Sequence, residues 1–400
     1  MMENKLPYIL AMVFISLVSC VTEIDFETEA FEDALVVEAS ITNEEKIHEI
    51  KLSRSYRFED DGPTPETNAI VKIASSNGDI LFEETENGKY ASLSAFKAMP
   101  NSAYVLQIVT SDGRSYKSNE TVLTQETQID NLYAIRETND DGVNGMSIYI
   151  DTFDATGNSM YYRYEYEETY KIIAPLWVDE DLVVVADEWP DCFVELVPRP
   201  YTRVCYNTVS SIDNIQGATV GLSEDRLTRF LVREISSDNY ILSWRYSILV
   251  RQYVQSQEAY TYFETLSEFA GDGSLFSQNQ PGFISSNIRS ESNSEEKVLG
   301  FFEVSSVSSK RIFFNYEDYY PNEPQPPYAS SCLEISPEID LGHPADLCGP
   351  LLVLIEGGTV LYYRENEFPS LREGPYYVVP AECGDCTRLG TITVPDFWEE

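Results

Sequence analysis

Residues 69–96 read AIVKIASSNGDILFEETENGKYASLSAF. Asn77-Gly78 and Asn87-Gly88 are pairs that tolerate positive φ, the backbone state a two-residue hairpin turn needs. The runs between them are rich in strand formers, so the stretch predicts consecutive short strands joined by tight turns. On its C-terminal side, residues 103–123 read AYVLQIVTSDGRSYKSNETVL. There Tyr104, Leu106 and Ile108 alternate with Val105, Gln107 and Val109 ahead of an Asp112-Gly113 turn. On its N-terminal side, LVVEASI opens a strand at Leu35. IHEIKLSRSY then places Ile50 and Leu52 on one face and Lys51 and Ser53 on the other. Strands and turns at this spacing predict an Ig-like β-sandwich over residues 35–125. His48 is read as a surface residue of one of its strands, on the face opposite the apolar side chains.

A larger β-rich domain is expected over residues 126–400. MSIYIDTFD and NSMYYRYEYEETYKIIAP are strand-like. In the second, Tyr162, Tyr164 and Tyr166 share one face, and Arg163, Glu165 and Glu167 share the other. Such a tyrosine row can stack on a sugar or a peptide, but is more often the packed face of a half-buried strand. Leu176 to Thr208 is acidic and Pro-bearing and reads as an inserted excursion stapled by Cys192 and Cys205. YILSWRYSILVRQYV (240–254) reads as a strand. One amphipathic helix is predicted over 256–270. Ser256 can cap it, Glu258 sits in its first turn, and Ala259, Tyr262, Phe263, Leu266 and Phe269 follow helical spacing up to Gly271. KVLGFFEVSS and SKRIFFNY read as a strand pair, 318–350 as Pro-rich loop, and LLVLIEGGTVLYY as a hairpin about Gly357-Gly358.

The first residues have a different character. Lys5 precedes an apolar run from Leu6 to Val18 that is too short for a membrane span. It ends in Leu17-Val18-Ser19-Cys20, the form of a lipobox. Residues 1–19 are therefore expected to be a lipoprotein signal peptide, with a diacylated Cys20 as the mature N-terminus and 20–34 as an acidic tether. The remaining cysteines are Cys192, Cys205, Cys332, Cys348, Cys383 and Cys386. An even number in an exported chain predicts disulfides. Six allow fifteen pairings, and proximity favours Cys192–Cys205, Cys332–Cys348 and Cys383–Cys386.

The chain carries 67 acidic against 27 basic residues, a formal charge of −40. Such a surface repels phosphate backbones and argues against a nucleic-acid partner. GxSxG, Walker, GxGxxG and HExxH motifs are missing, and the sequence holds only two histidines, His48 and His343. No catalytic residue and no cofactor is assigned. Zinc on Cys332, His343, Cys348, Cys383 and Cys386 is the alternative to disulfides, which an oxidising compartment favours. The acidic loops Glu59-Asp60-Asp61 and Asn139-Asp140-Asp141 lack the spacing of a calcium loop and read as solvated turns.

Several segments in this order resemble a family of Bacteroidota lipoproteins called domain of unknown function 4249. They are Cys20, LVVEASIT, YVLQIVTSDGRSYKS, YYRYEYEETY, YSILVRQYVQSQEAYTYFETL, GSLFSQNQPGFISSNI, VLGFFEVSSVSSKRIFF and CGDCTRLGTITVPDFW. Where the family often has Trp after the cysteine matching Cys205, this chain has Tyr206. The resemblance implies an outer-membrane lipoprotein produced together with a TonB-dependent receptor, and it carries over no catalytic residue. The expected function is a non-enzymatic accessory protein that binds or presents the receptor's ligand at the outer membrane, with the outer face slightly favoured by the acidic tether. The competing expectations are a glycan-directed surface hydrolase using paired carboxylates and a purely structural envelope protein. They are separable by shape: a deep cleft with two carboxylates roughly 5–10 Å apart for the hydrolase, and an exposed apolar patch or broad contact face for the binding protein.

Overall fold

The computed structural model describes residues 33–56, 62–271, 284, 286–342, 347–370 and 372–400. Cys20, most of the tether, Glu59-Asp60-Asp61 and His343 lie outside them. The fold is mainly β, with several sheets and a few short helices.

The N-terminal strands are β1 (Leu35–Thr42), β2 (Glu49–Arg54), β3 (Thr64–Pro65), β4 (Ile70–Ser75), β5 (Gly78–Glu86), β6 (Lys89–Ser92), β7 (Ala103–Val109), β8 (Ser115–Ser118) and β9 (Thr121–Val122). Alternation drives them inward. Leu35, Val37, Ile50, Leu52, Ile73, Tyr104, Leu106 and Ile108 are all buried in one core. Asn87-Gly88 is the turn the sequence predicts, with Gly88 at φ 72°. At the other turn, Gly78 already pairs with Ser75, so the two turn residues are Ser76 and Asn77, one position earlier than expected.

His48 corrects the surface reading. It lies just before β2 and is 2% exposed. It is two residues from Ile50, so strand parity sends it inward with Ile50 and Leu52. Its Nε2 accepts the Thr42 N–H at 3.0 Å, and its ring lies 4.5 Å from that of Phe96. Burial, reinforced by the Lys46 charge, lowers its pKa from 6.5 to about 4. Between those two values the unfolded chain binds the proton and the folded one does not, so stability is lost as pH falls from 6.5 toward 4, by about 2–3 kcal/mol. His48→Gln should lose this component of the slope in urea unfolding between pH 7 and 4.5; parallel profiles for the two proteins would refute it.

The next strands are β10 (Ile129–Thr138), β11 (Asn144–Asp154), β12 (Tyr161–Ile173), β13 (Glu180–Glu188), β14 (Asp191–Pro198), β15 (Val204–Ser210), β16 (Ile215–Ala218), β17 (Asp225–Ser236) and β18 (Arg245–Val254). Strands β10, β11 and β17 form a three-stranded sheet. It packs on β12, β15, β16 and β18 through Met146, Ile148, Ile150, Val232 and Ile235 on one side and Tyr162, Tyr164, Tyr166, Ile248 and Val250 on the other. The tyrosine row is therefore the packed face of its strand. Asn139-Asp140-Asp141 forms the turn between β10 and β11, closed by Gly142 N–H on Asn139 O.

Helix α1 (Gln257–Gly271) follows, capped by Ser256 Oγ accepting Ala259 N–H at 3.1 Å. Then come β19 (Ile288–Ser290) and β20 (Val298–Asn315). The expected strand pair is one 18-residue strand. Its first half runs parallel to β1, from Leu35↔Val298 to Thr42↔Ser305. Its second half runs antiparallel to β18, from Val254↔Ser306 to Arg245↔Asn315. This strand joins the N-terminal strands and the tyrosine-faced strands into one 15-stranded sheet. The serine-rich middle reads as a turn, yet Ser306 and Ser308 satisfy their hydroxyls on Gln125 O and Thr127 O while the strand continues. Gly300 is where β20 meets β1 most closely: at φ 109°, a Cβ would stand 1.9 Å from Val37 O.

The tail adds α2 (Tyr316–Tyr319), α3 (Pro350–Glu356), β21 (Val360–Glu365), β22 (Tyr376–Pro380) and α4 (Ala381–Gly384). LLVLIEGG is thus a helix rather than the arm of a hairpin. Pro350 starts it at a position that needs no N–H, and Gly358, at φ 59°, follows its end. A third core joins α3 and the β21–β22 pair to the β13–β14 hairpin through Leu182, Val194, Leu351, Leu352, Val360 and Val378.

All six described cysteines are in disulfides, but none in the pairing that proximity favoured. The bonds are Cys192–Cys348, Cys205–Cys386 and Cys332–Cys383, with Cα–Cα distances of 5.5, 5.6 and 5.6 Å. Cys192 is the second residue of β14, and the extended run to Pro198 alone carries the chain about 20 Å away, far beyond disulfide reach. Cys205 lies in the large sheet, and Cys386 brings the tail to it. The Leu176–Thr208 excursion is a real hairpin, but it is pinned to the tail rather than closed on itself.

Candidate functional site

Where α1 packs on β12 and β20, the described residues, those of β1 among them, bound a cleft of about 640 Å³. The helix and strand supply an apolar wall. Tyr262, Phe263 and Phe301 pack together, with ring centroids 5.2–6.5 Å apart, and Leu266 and Leu299 extend the surface. Tyr262 is fixed by its hydroxyl, which accepts the Gly300 N–H at 2.9 Å. The sequence expects the whole helical stripe to face inward. Ala259 and Tyr262 do, whereas Leu266 is largely exposed at the cleft.

The adjoining part of the lining is charged. β12 sends its tyrosines into the core, so Arg163 and Glu165 emerge on the outer face toward β20 and α1. Arg163 Nη1 bonds Glu165 Oε1, and Nη2 reaches Glu303 Oε2 at 3.1 Å. The guanidinium lies 4.4 Å from the Tyr253 ring centroid and 5.3 Å from that of Phe263. Glu303, its side chain only 2% exposed, also accepts from Gln255 Nε2 at 3.0 Å, and Gln255 is held in turn by Gln216 at 2.8 Å. Glu165 accepts from Tyr253 OH at 2.9 Å but keeps its side chain 42% exposed. Burial alone would raise its carboxyl. The charge and hydrogen bond of Arg163, the Tyr253 hydroxyl and the Arg251 charge outweigh that and hold it below the ordinary glutamate range. Glu38 and Lys51 form an exposed ion pair on the rim at 3.4 Å, beside Glu49.

The β13–β14 hairpin is the second notable surface. Val183, Val185, Trp189 and Phe193 are exposed on it. Residues 176–198 contain seven carboxylates and no Lys or Arg.

The residues singled out from the sequence do not gather here. The six cysteines brace the tail, and the tyrosine row is core. The sequence marks Arg163 and Glu165 only as the polar face of a strand. Their partner Glu303 lies 140 residues away from Arg163, so no local spacing could reveal the cluster.

No curated protein matches the chain. A family model described as "Domain of unknown function (DUF4249)" matches residues 21–311, which include every residue lining the cleft and end before Cys332. That span is well over half of the 400 residues, and the chain accordingly belongs to this domain-of-unknown-function family, DUF4249.

Proposed function

We propose that the protein is a non-catalytic, ligand-binding lipoprotein, anchored at the outer membrane through a diacylated Cys20 and acting with a TonB-dependent receptor. The observation that carries this reading is the cleft between α1 and the sheet, with its apolar wall and its ordered polar cluster, the usual make-up of a ligand site. The exposed apolar tip of the acidic β13–β14 hairpin supports a protein partner. The anchor rests on the Leu-Val-Ser-Cys ending of the leader, and the receptor on the family resemblance. The hydrolase reading is less well supported. Glu165 is held ionised by Arg163 and lacks the proton a general acid must donate, while Glu303 has its oxygens engaged by Arg163 and Gln255.

The test is recovery of the tagged lipoprotein from detergent-solubilised outer membranes. Stoichiometric co-recovery of a TonB-dependent receptor is expected, reduced by Trp189→Ser with Phe193→Ser. Repeated recovery of the lipoprotein alone, together with turnover of a polysaccharide, would overturn the proposal.

A further inference from the structure

The chemistry of the cleft specifies a ligand class, on the reading that the cleft is the binding site. Its charged lining holds four carboxylates, those of Glu38, Glu49, Glu165 and Glu303, against the two cations Lys51 and Arg163. Both cations are already engaged, Lys51 by Glu38 and Arg163 by Glu165 and Glu303. Arg163 is also 13% exposed at most, with its face covered by Tyr253 and Phe263, so it offers little to an incoming anion. Its Nε has no hydrogen-bond partner, but that atom is fully buried and does not present itself to a ligand in the cleft. Glu165 is the opposite case. One carboxylate oxygen takes Arg163 and the other takes Tyr253, but the group remains open to the cleft and has lone pairs to spare. Phe263, Tyr262 and Leu266 line the same cleft. Arg251, the cross-strand partner of Glu165 on β18, shares that face of the sheet and stands beside Glu165, outside the cleft lining.

We propose that the cleft binds an organic amine with an apolar body, the ammonium group donating to Glu165 and the body lying against Tyr262, Phe263 and Leu266. Three features favour that polarity. The lining has surplus negative charge, the accessible member of the Arg163 cluster is an anion, and aromatic faces attract a cation placed beside them. The protein's overall charge of −40 adds long-range attraction for cations. A ligand carboxylate would meet the repulsion of Glu165 in a lining whose two cations, Lys51 and Arg163, are already ion-paired. A neutral ligand would keep the apolar contact and gain from Glu165 a hydrogen bond at most, without the attraction between opposite charges.

Three probes share one body and differ only in the head group: 4-phenylbutylamine, 4-phenylbutanol and 4-phenylbutanoate. Each is titrated into the disulfide-intact chain by ligand-observed NMR and calorimetry. The amine is expected to bind roughly tenfold more tightly than the alcohol, and the acid most weakly. Glu165→Gln should erase most of the amine's advantage over the alcohol. Glu165 is partly exposed, so this variant is expected to fold, and its circular dichroism verifies that. The head-group series on the unmodified protein stands without it. An acid that binds as well as the amine, or an amine no better than the alcohol, would overturn the ligand class while leaving the cleft a binding site. No binding of any probe would overturn both.

Discussion

Replacing Cys205 and Cys386 together by Ala should lower the unfolding free energy by about 2–5 kcal/mol, among the largest effects available from two substitutions in this chain. The bond closes a loop of 181 residues. Cross-linking so long a loop removes much of the denatured chain's freedom, and the chain-entropy relation gives ~5 kcal/mol as the upper figure. Both cysteines are fully buried against the second core. Alanine keeps that site apolar, so the loss reports the cross-link rather than a buried hydroxyl. The bond also has a local role. Beyond Cys386 the tail pairs with β15 through Tyr206 and Thr391, stacks Phe397 at 3.5 Å on the Arg311 guanidinium, and places Trp398 between Tyr206 and Phe313. Hydrogen exchange should therefore accelerate at Tyr206 and Thr391 and stay slow in β4 and β7 of the first core. An unchanged guanidinium midpoint, or loosening spread evenly over both cores, would sink this account.

Local chemistry was legible in the sequence wherever one strand decides its own outcome. Tyr162, Tyr164 and Tyr166 went inward because alternation allows one buried face, and Asn87-Gly88 turned because its backbone states permit it. Helix α1 was readable from Ser256 and its aromatic spacing. The failures share a cause, which is that position in the sheet outranks distance along the chain. Proximity suggested Cys383–Cys386, but α4 points Cys383 at Cys332 while Cys386 meets β15. Polar serines suggested a break in β20, but there the strand passes from one core to the next and finds main-chain acceptors. Leu351 to Glu356 is a short apolar run, which periodicity cannot divide between helix and strand, and Pro350 with Gly358 decided it. The cleft was beyond reach because its walls come from β1, β12, α1 and β20, and only the fold brings Arg163 to Glu303.

That last meeting sets up the second large effect. Arg163→Met should cost about 3–5 kcal/mol, because removing one member of a buried charge cluster leaves the other without compensation. Glu303 is the residue left exposed to that penalty: its side chain is 2% accessible, and only Gln255 would remain to donate to it. Glu165 suffers less, since water reaches it and Tyr253 still donates. Methionine fills most of the arginine's volume, so a cavity contributes little. One further measurement separates this cause from simple loss of packing. Glu165→Gln and Glu303→Gln added to Arg163→Met should restore most of the stability in urea unfolding, because no buried charge is left unpaired. A triple variant no more stable than the single would show that Arg163 acts through packing alone.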